Sequence, residues 1–473
     1  MIDVVLALDI SSSGVRARAH DRNLRVAAEQ AVDLNTRIAA DGTSSHDLDE
    51  VLAAVRGVLR PLASDPRLRP VAISASGTAS SLVAVKPARS EVLLWSDTRA
   101  AGYYPELAGD LAEAYARTLC PPDLSYWPAK LRYLAEHGLR GDGQLAGVKD
   151  EVFAWLTGAL WTDPMTAASS GVFDSGSWQW DAALLCRLGM PGARLPEVRR
   201  ATESAPLRSS VAAELGLPAG LPVATGGMDG PLSQLGAAGA RERVASCTVG
   251  TSVAVRAAVA TRVADPQQRI WCYPISEQLW VSGGAGSNGG NLVTWLRDRV
   301  GLAGSIPELV DAAFGAPADP DLLFVPYLNG ERAPWWRSEL RAAFLGLGAH
   351  HGSADLARAV FDGLAAAVQD LAAAVESVVG RPGQVVFTGG FVQDERWVQL
   401  MTDALGLPAA LPDPECATSV GTAMLGWAAA EQTALEEVFA PALRPVAVPD
   451  AAENRRLRTV SERIADRRHL LWP

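Results

Sequence analysis

Two aspartates stand where an apolar run meets a turn of small residues. Val4-Val5-Leu6-Ala7-Leu8-Asp9 enters Ile10-Ser11-Ser12-Ser13-Gly14, and 220 residues later Leu221-Pro222-Val223-Ala224 enters Thr225-Gly226-Gly227-Met228-Asp229-Gly230. A buried strand that delivers a carboxylate to a turn rich in N–H and hydroxyl donors is one way to build a phosphate and metal site. Two such segments suggest a nucleotide handled between two halves of a chain. Phosphoryl transfer needs one carboxylate near Mg2+ and another near the attacking hydroxyl. An alcohol is a poor nucleophile, and a base on its proton makes transfer productive. Asp9 and Asp229 would equally serve as turn caps, so the residues alone leave both roles open.

Three further glycine turns follow apolar strands: Gly250-Thr251-Ser252, the stretch 283–290, and Gly389-Gly390. Small residues let backbone N–H groups approach a polyphosphate closely. None has the Gly-Lys-Ser/Thr ending of a P-loop or the dinucleotide fingerprint. Two clusters suit a polyol pocket, Trp95-Ser96-Asp97-Thr98-Arg99 and Ser125-Tyr126-Trp127-Pro128-Ala129-Lys130, each setting an aromatic face beside donors and acceptors. A carboxylated substrate would ask for a cation, for which Arg99 and Lys130 are candidates. Both also have structural explanations, such as pairing with Asp97 or capping a helix. Gly330-Glu331-Arg332 reads as a loop held by a salt bridge.

The elements that must position these residues can be read from periodicity. Residues 3–9, 15–20 and 24–32 read as a strand meander, and 49–62 as a helix. Strands follow at 71–74, 81–85 and 92–95, and helices at 101–118 and 128–137. In the second half, strands at 223–225, 244–249, 253–257, 271–273, 279–282 and 384–388 alternate with helices at 231–240, 291–300, 353–378, 395–405 and 417–434. This is a mixed α/β pattern and not a simple βαβ alternation.

With 473 residues the chain exceeds one ordinary domain. The expected division is 1–242 and 243–435, with a peripheral Pro- and Arg-rich tail at 436–473. Apolar residues make up 48%, enough for large cores, and the net charge of −11 argues against nucleic-acid binding. No apolar run reaches membrane-spanning length, and the apolar start reads as a core strand and not a leader. The five cysteines form no metal-ligand or disulfide pattern, which fits a reducing cytoplasm.

Taken together, the chain resembles the FGGY carbohydrate kinases of the actin-like ATPase superfamily. The resemblance rests on Asp9-Ile10-Ser11-Ser12-Ser13, Trp95-Ser96-Asp97-Thr98-Arg99, Leu156-Thr157-Gly158 with Thr162-Asp163-Pro164, and Gly227-Met228-Asp229-Gly230. It continues through Gly250-Thr251-Ser252, Asn329-Gly330-Glu331-Arg332-Ala333-Pro334, Thr388-Gly389-Gly390 and Ser419-Val420-Gly421-Thr422-Ala423. It implies two ribonuclease-H-like domains flanking a catalytic cleft, ATP and Mg2+ as cofactors, and a small-molecule sugar or sugar acid as substrate. It implies Asp229 as catalytic base, Asp9 with Asp229 at the metal, and Ser11, Ser12, Ser13, Gly250, Thr251, Gly290, Gly389 and Gly390 around the nucleotide. It leaves homodimer formation open.

Gly283 to Asn291 and Ser125 to Leu131 look like the gluconate-kinase branch, and gluconate is the best single expectation. The main departure is in the substrate region. Many relatives have Gln-Met-His after Ser-Gly, whereas this chain has Ser76-Gly77-Thr78-Ala79-Ser80. Losing an imidazole and a thioether enlarges the pocket, so Ala79 and Ser80 join Trp95, Arg99, Ser125, Lys130 and Asp229 as substrate candidates. They also keep another polyol or a ketose in view as an alternative substrate. A non-catalytic nucleotide-dependent regulator is the third reading, motivated by Ser11 and the missing Met-His pair.

Overall fold

The computed structural model describes residues 1–85, 91–139, 143–438 and 440–471. The chain forms two compact units, each built from three stretches: 1–240, 258–281 and 414–442 in the first, 241–257, 282–413 and 443–473 in the second.

The first unit is organised on a seven-stranded mixed sheet. Its order is Ser204–Pro206, Pro222–Ala224, Leu68–Gly77, Ile2–Ile10, Gly14–His20, Val26–Asp33, and Gly227–Met228 also pairs with Leu68–Gly77. The first three strands in sequence form the expected antiparallel meander. Leu68–Gly77 lies parallel to Ile2–Ile10 and is the central strand on which the candidate site depends.

The first strand reads as a continuous apolar run because both of its faces are covered. Val4, Leu6 and Leu8 join the cluster that holds Val51, Val55, Val58 and Leu59 of helix Leu48–Ala63. These helix residues recur every three or four positions, as an amphipathic helix requires. Val5 and Ala7 face the opposite cluster with Leu232, Val420, Met424 and Leu425.

That second face explains why the first unit is not the contiguous block 1–242. Helix Ala417–Glu431 is buried nearly all round, and it packs on helix Asp229–Ala238 and on strands Ile2–Ile10 and Leu68–Gly77. A helix apolar on every side belongs inside a core, and the core that takes it is built mostly from residues of the first half of the chain.

The second unit is built on strands ordered Trp280–Ala285, Val253–Val259, Val244–Val249, Gln384–Thr388, Ala409–Asp413 and Ala442–Ala447. Helix Ser353–Val379 supplies much of its core, with Val360, Phe361, Leu364 and Val368 fully buried. The stretch after 436, expected to be peripheral, contributes strand Ala442–Ala447 and helix Ala451–Leu471. Leu457, Val460 and Ile464 of that helix are buried, and Arg468 donates to the Tyr327 hydroxyl at 3.0 Å. Its arginines therefore line a packed helix.

Candidate active site

Asp9 is the penultimate residue of the first strand and is in register with Ser76 of the central strand. The Ser76 hydroxyl donates to Asp9 Oδ1 at 2.9 Å. Burial pushes the Asp9 carboxyl above the usual carboxylate range, against the opposing pull of that hydroxyl and of the Arg18 and Arg16 charges. A carboxylate desolvated this far gains when a cation reaches it.

The serine turn that follows is held by its own chain. Ser11 donates through its N–H and its hydroxyl to the Gly14 carbonyl, both at 2.9 Å, and its Oγ lies 3.2 Å from Ser13 Oγ. Thr36 donates to the Ser12 carbonyl at 2.9 Å and lies 3.1 Å from His46 Nε2.

Asp229 reaches the same neighbourhood from the other edge of the central strand. Gly227 and Met228 pair parallel with Ser76 and Gly77, and Asp229 is the first residue of helix Asp229–Ala238. Gly226 makes this approach possible: its φ is +78°, and a Cβ there would stand 2.1 Å from the Ala75 carbonyl oxygen. Asp229 Oδ1 accepts the Gly230 N–H at 2.7 Å. One strand end, Ser76-Gly77, is thus flanked by the segment bearing Asp9 on one side and the segment bearing Asp229 on the other.

The substrate candidates differ in how far they are engaged. Ser80 is buried with a φ of +53°, and its hydroxyl donates to the Ser169 carbonyl at 2.7 Å. Ala79, Trp95 and Ser125 are half-buried. Arg99 grips Asp97 through Nε and Nη2 at 2.8–3.1 Å and reaches Glu91 at 3.3 Å. Lys130 is fully buried, its ammonium donates to the Ser125 carbonyl at 2.6 Å, and burial pushes its pKa down to about 7. Both cations proposed for a carboxylated substrate therefore have partners inside the protein.

In the second unit a cavity of about 740 Å3 is lined by Gly250, Thr251, Gly290 and Gly390, with Trp295, Phe391 and Trp397 on its walls. Gly389 shapes the turn beside it: its φ is +105°, and a Cβ would meet the Val249 carbonyl oxygen at 2.3 Å. A cavity of this size lined by glycine turns and aromatic rings has the donors and the apolar faces that a nucleotide would need.

Glu331 secures one rim of the glycine stretch. Its carboxylate accepts from the Ser287 N–H, from Asn288 Nδ2 at 3.0 Å and from the Arg332 N–H at 2.9 Å. Burial pushes its pKa up to about 7. The loop is tied to the glycine stretch by the Ser287 and Asn288 donors and by Arg332, whose guanidinium donates to the Gly286 carbonyl at 2.9 Å.

Sequence reading missed the role of Ser76, which depends on a strand register that sets it beside Asp9, 67 residues away, and the buried group of Lys149, Asp150 and Asp163. The available signal for the latter was a lysine beside an aspartate in a chain with three lysines. Among the described residues no helix is long and apolar enough to cross a membrane.

Comparison with known proteins places the chain among carbohydrate kinases. The model of the N-terminal domain of the FGGY family of carbohydrate kinases matches residues 4–236, and that of the C-terminal domain matches 245–430. A gluconokinase of Bacillus subtilis (strain 168) is 26% identical over 90% of this chain and 87% of its own length. A glycerol kinase of Myxococcus xanthus is 27% identical over 93% and 95%. Among solved structures, a ligand-bound xylulose kinase and a gluconate kinase, both from Lactobacillus acidophilus, each superpose with a TM-score of 0.93 at 24% identity. They cover 99% and 100% of this chain respectively, and 98% of each of those chains is matched.

Proposed function

The chain belongs to the FGGY family of carbohydrate kinases, and from that premise we propose that it transfers the terminal phosphoryl group of ATP to D-gluconate, giving 6-phosphogluconate. Asp229 is the general base in this reading. The observation that carries it is the pairing of the segments bearing Asp9 and Asp229 on the two edges of one strand end, at Ser76-Gly77.

Asp229, at a helix start with one carboxylate oxygen on the Gly230 N–H, takes the proton from the attacking hydroxyl as its oxygen bonds to the terminal phosphorus and the bond from that phosphorus to the bridging oxygen breaks, releasing ADP. Asp9, with Asp229, would hold the Mg2+ that neutralises charge on the phosphates when it is bound. Ser11, Ser12 and Ser13 offer hydroxyl and N–H donors to the transferred group. Gly250, Thr251, Gly290, Gly389 and Gly390 would hold the rest of the polyphosphate. Ala79, Ser80, Trp95, Arg99, Ser125 and Lys130 would contribute to the sugar site.

One observation favours a second substrate reading. Arg99 is neutralised by Asp97 and Glu91, and the Lys130 ammonium is committed to the Ser125 carbonyl. With those two cations engaged, a neutral ketose or polyol would leave both pairings intact.

The test has two parts. Asp229→Asn should lower kcat by about 10²–10⁴-fold while the dissociation constant for ATP, measured calorimetrically, stays within a factor of about three; unchanged turnover would remove Asp229 as base. A panel of gluconate, xylulose, other pentuloses and tetruloses, and glycerol, followed by ADP release, then ranks kcat/KM. Preference for gluconate supports the first reading, and preference for a neutral acceptor supports the second.

A further inference from the structure

Resting on the assignment of Asp229 as base, we propose that Lys149 is a positioning residue that fixes the turn presenting that carboxylate. Lys149 is 1% exposed. Its Nζ lies 2.8 Å from Asp150 Oδ1 and 3.1 Å from Asp163 Oδ2, and it donates to the Thr225 carbonyl at 2.9 Å. Burial alone would push the ammonium down, but the two carboxylates hold it above the usual lysine range.

The remaining oxygens of those carboxylates anchor the group to the scaffold. Asp150 Oδ2 accepts the Gly147 N–H at 2.9 Å, at the start of helix Val148–Thr157. Asp163 Oδ1 accepts the Met165 and Thr166 N–H groups at 2.9 and 3.1 Å, at the start of helix Pro164–Ala168. Lys149 is therefore held from two helix starts, and the bond it makes beyond them goes to Thr225, four residues before Asp229.

The stem of the side chain reaches the same segment from below. A Cβ built on Gly77 would stand 2.7 Å from Lys149 Cβ, and Gly77 is the register partner of Met228. Lys149 thus meets the base-bearing segment at its first residue and the central strand opposite the residue before Asp229. A buried group of three charges is a poor source of stability, since apolar replacements of similar volume are often neutral or better. What an ammonium fixed by two carboxylates supplies, and an apolar side chain does not, is a directed donor that holds one carbonyl in one place. A displacement of about 1 Å at a reacting group is enough to cost roughly 10²-fold in rate.

The experiment compares Lys149→Met, the neutral triple variant K149M/D150N/D163N and Asp229→Asn. The triple variant leaves no unpaired buried charge and keeps amide oxygens for both helix starts, but lacks the donor to Thr225. The expected result is a kcat about 100-fold lower in K149M and in the triple variant, with the KM for ATP within about threefold and a cooperative thermal transition retained in the triple variant. Adding K149M to D229N should lower kcat no further, because the two changes act on the same group. A folded triple variant with the parent's kcat would overturn the proposal. So would loss of the cooperative transition in both Lys149 variants, which would make the group structural only, or a further loss in the D229N background. Parent-like turnover of D229N alone would instead remove the base assignment on which the inference rests.

Discussion

A carboxylate on a strand end is useful only if its proton affinity suits its task. Asp9 is held between opposing influences: burial raises its pKa, while the Ser76 hydroxyl at 2.9 Å and two arginine charges lower it. Ser76→Ala removes the hydrogen bond that favours the ionised form, so the folded-state pKa of Asp9 rises further. If ionised Asp9 holds the metal, less of it is available on the acid side. The acid limb of kcat/KM against pH should then move to higher pH, with the alkaline limb unchanged; an unshifted acid limb would mean that Asp9 does not titrate in the working range. Residue types along the chain singled out Asp9 and Asp229. They did not single out Ser76 or Lys149, because neither motif nor periodicity marks a partner that only strand register and helix packing bring into reach.

At the scale of elements, Asp229 is delivered by a short helix that packs against another helix through two glycines. A Cβ on Gly236 of helix Asp229–Ala238 would stand 1.8 Å from the Ala417 carbonyl oxygen, and a Cβ on Gly421 would stand 2.1 Å from the Leu232 carbonyl oxygen. Both obstacles are backbone, so neither can be relieved by a rotamer change. Gly421→Ala should separate the two helices, costing about 1–3 kcal/mol or more from overpacking, and should lower turnover by displacing Asp229. Denaturant unfolding and kcat measured on the same sample check this; a variant with parent stability would show that the helices slide apart freely. Most elements were legible beforehand. Helix Leu48–Ala63 and helix Ser353–Val379 follow from recurrence every three or four residues, and the meander from three successive strand-like runs joined by short turns. The helix after residue 450 was not, because its arginine-rich sequence hides three buried apolar positions, Leu457, Val460 and Ile464.

At the scale of the whole molecule, the two units exchange stretches of chain. Helix Ala417–Glu431 completes the first unit, and helix Ala451–Leu471 completes the second. A fragment covering 1–242 would therefore expose Val5, Ala7, Leu232 and Leu235, which share a cluster with Val420, Met424 and Leu425. Expressed alone, this fragment should lack a cooperative thermal transition and bind a hydrophobic dye. The same fragment co-expressed with 243–473 should recover the transition if the chains assemble. A sharp transition in the isolated fragment would show that the first unit does not need the later helix.

The amino-acid sequence by itself determined the mixed α/β class, the two aspartates at strand ends, the glycine turns and, through their order and spacing, the resemblance to sugar kinases. These are local properties: side-chain period, turn chemistry and motif spacing are written within a few residues of one another. Only the tertiary structure decided that the segments bearing Asp9 and Asp229 flank one central strand, that Lys149 grips the turn before Asp229, that Arg99 and Lys130 already have partners, and that each unit is assembled from three separate stretches of chain. Each of these depends on which distant segments bury their apolar faces together, and that choice is settled by packing across the whole chain.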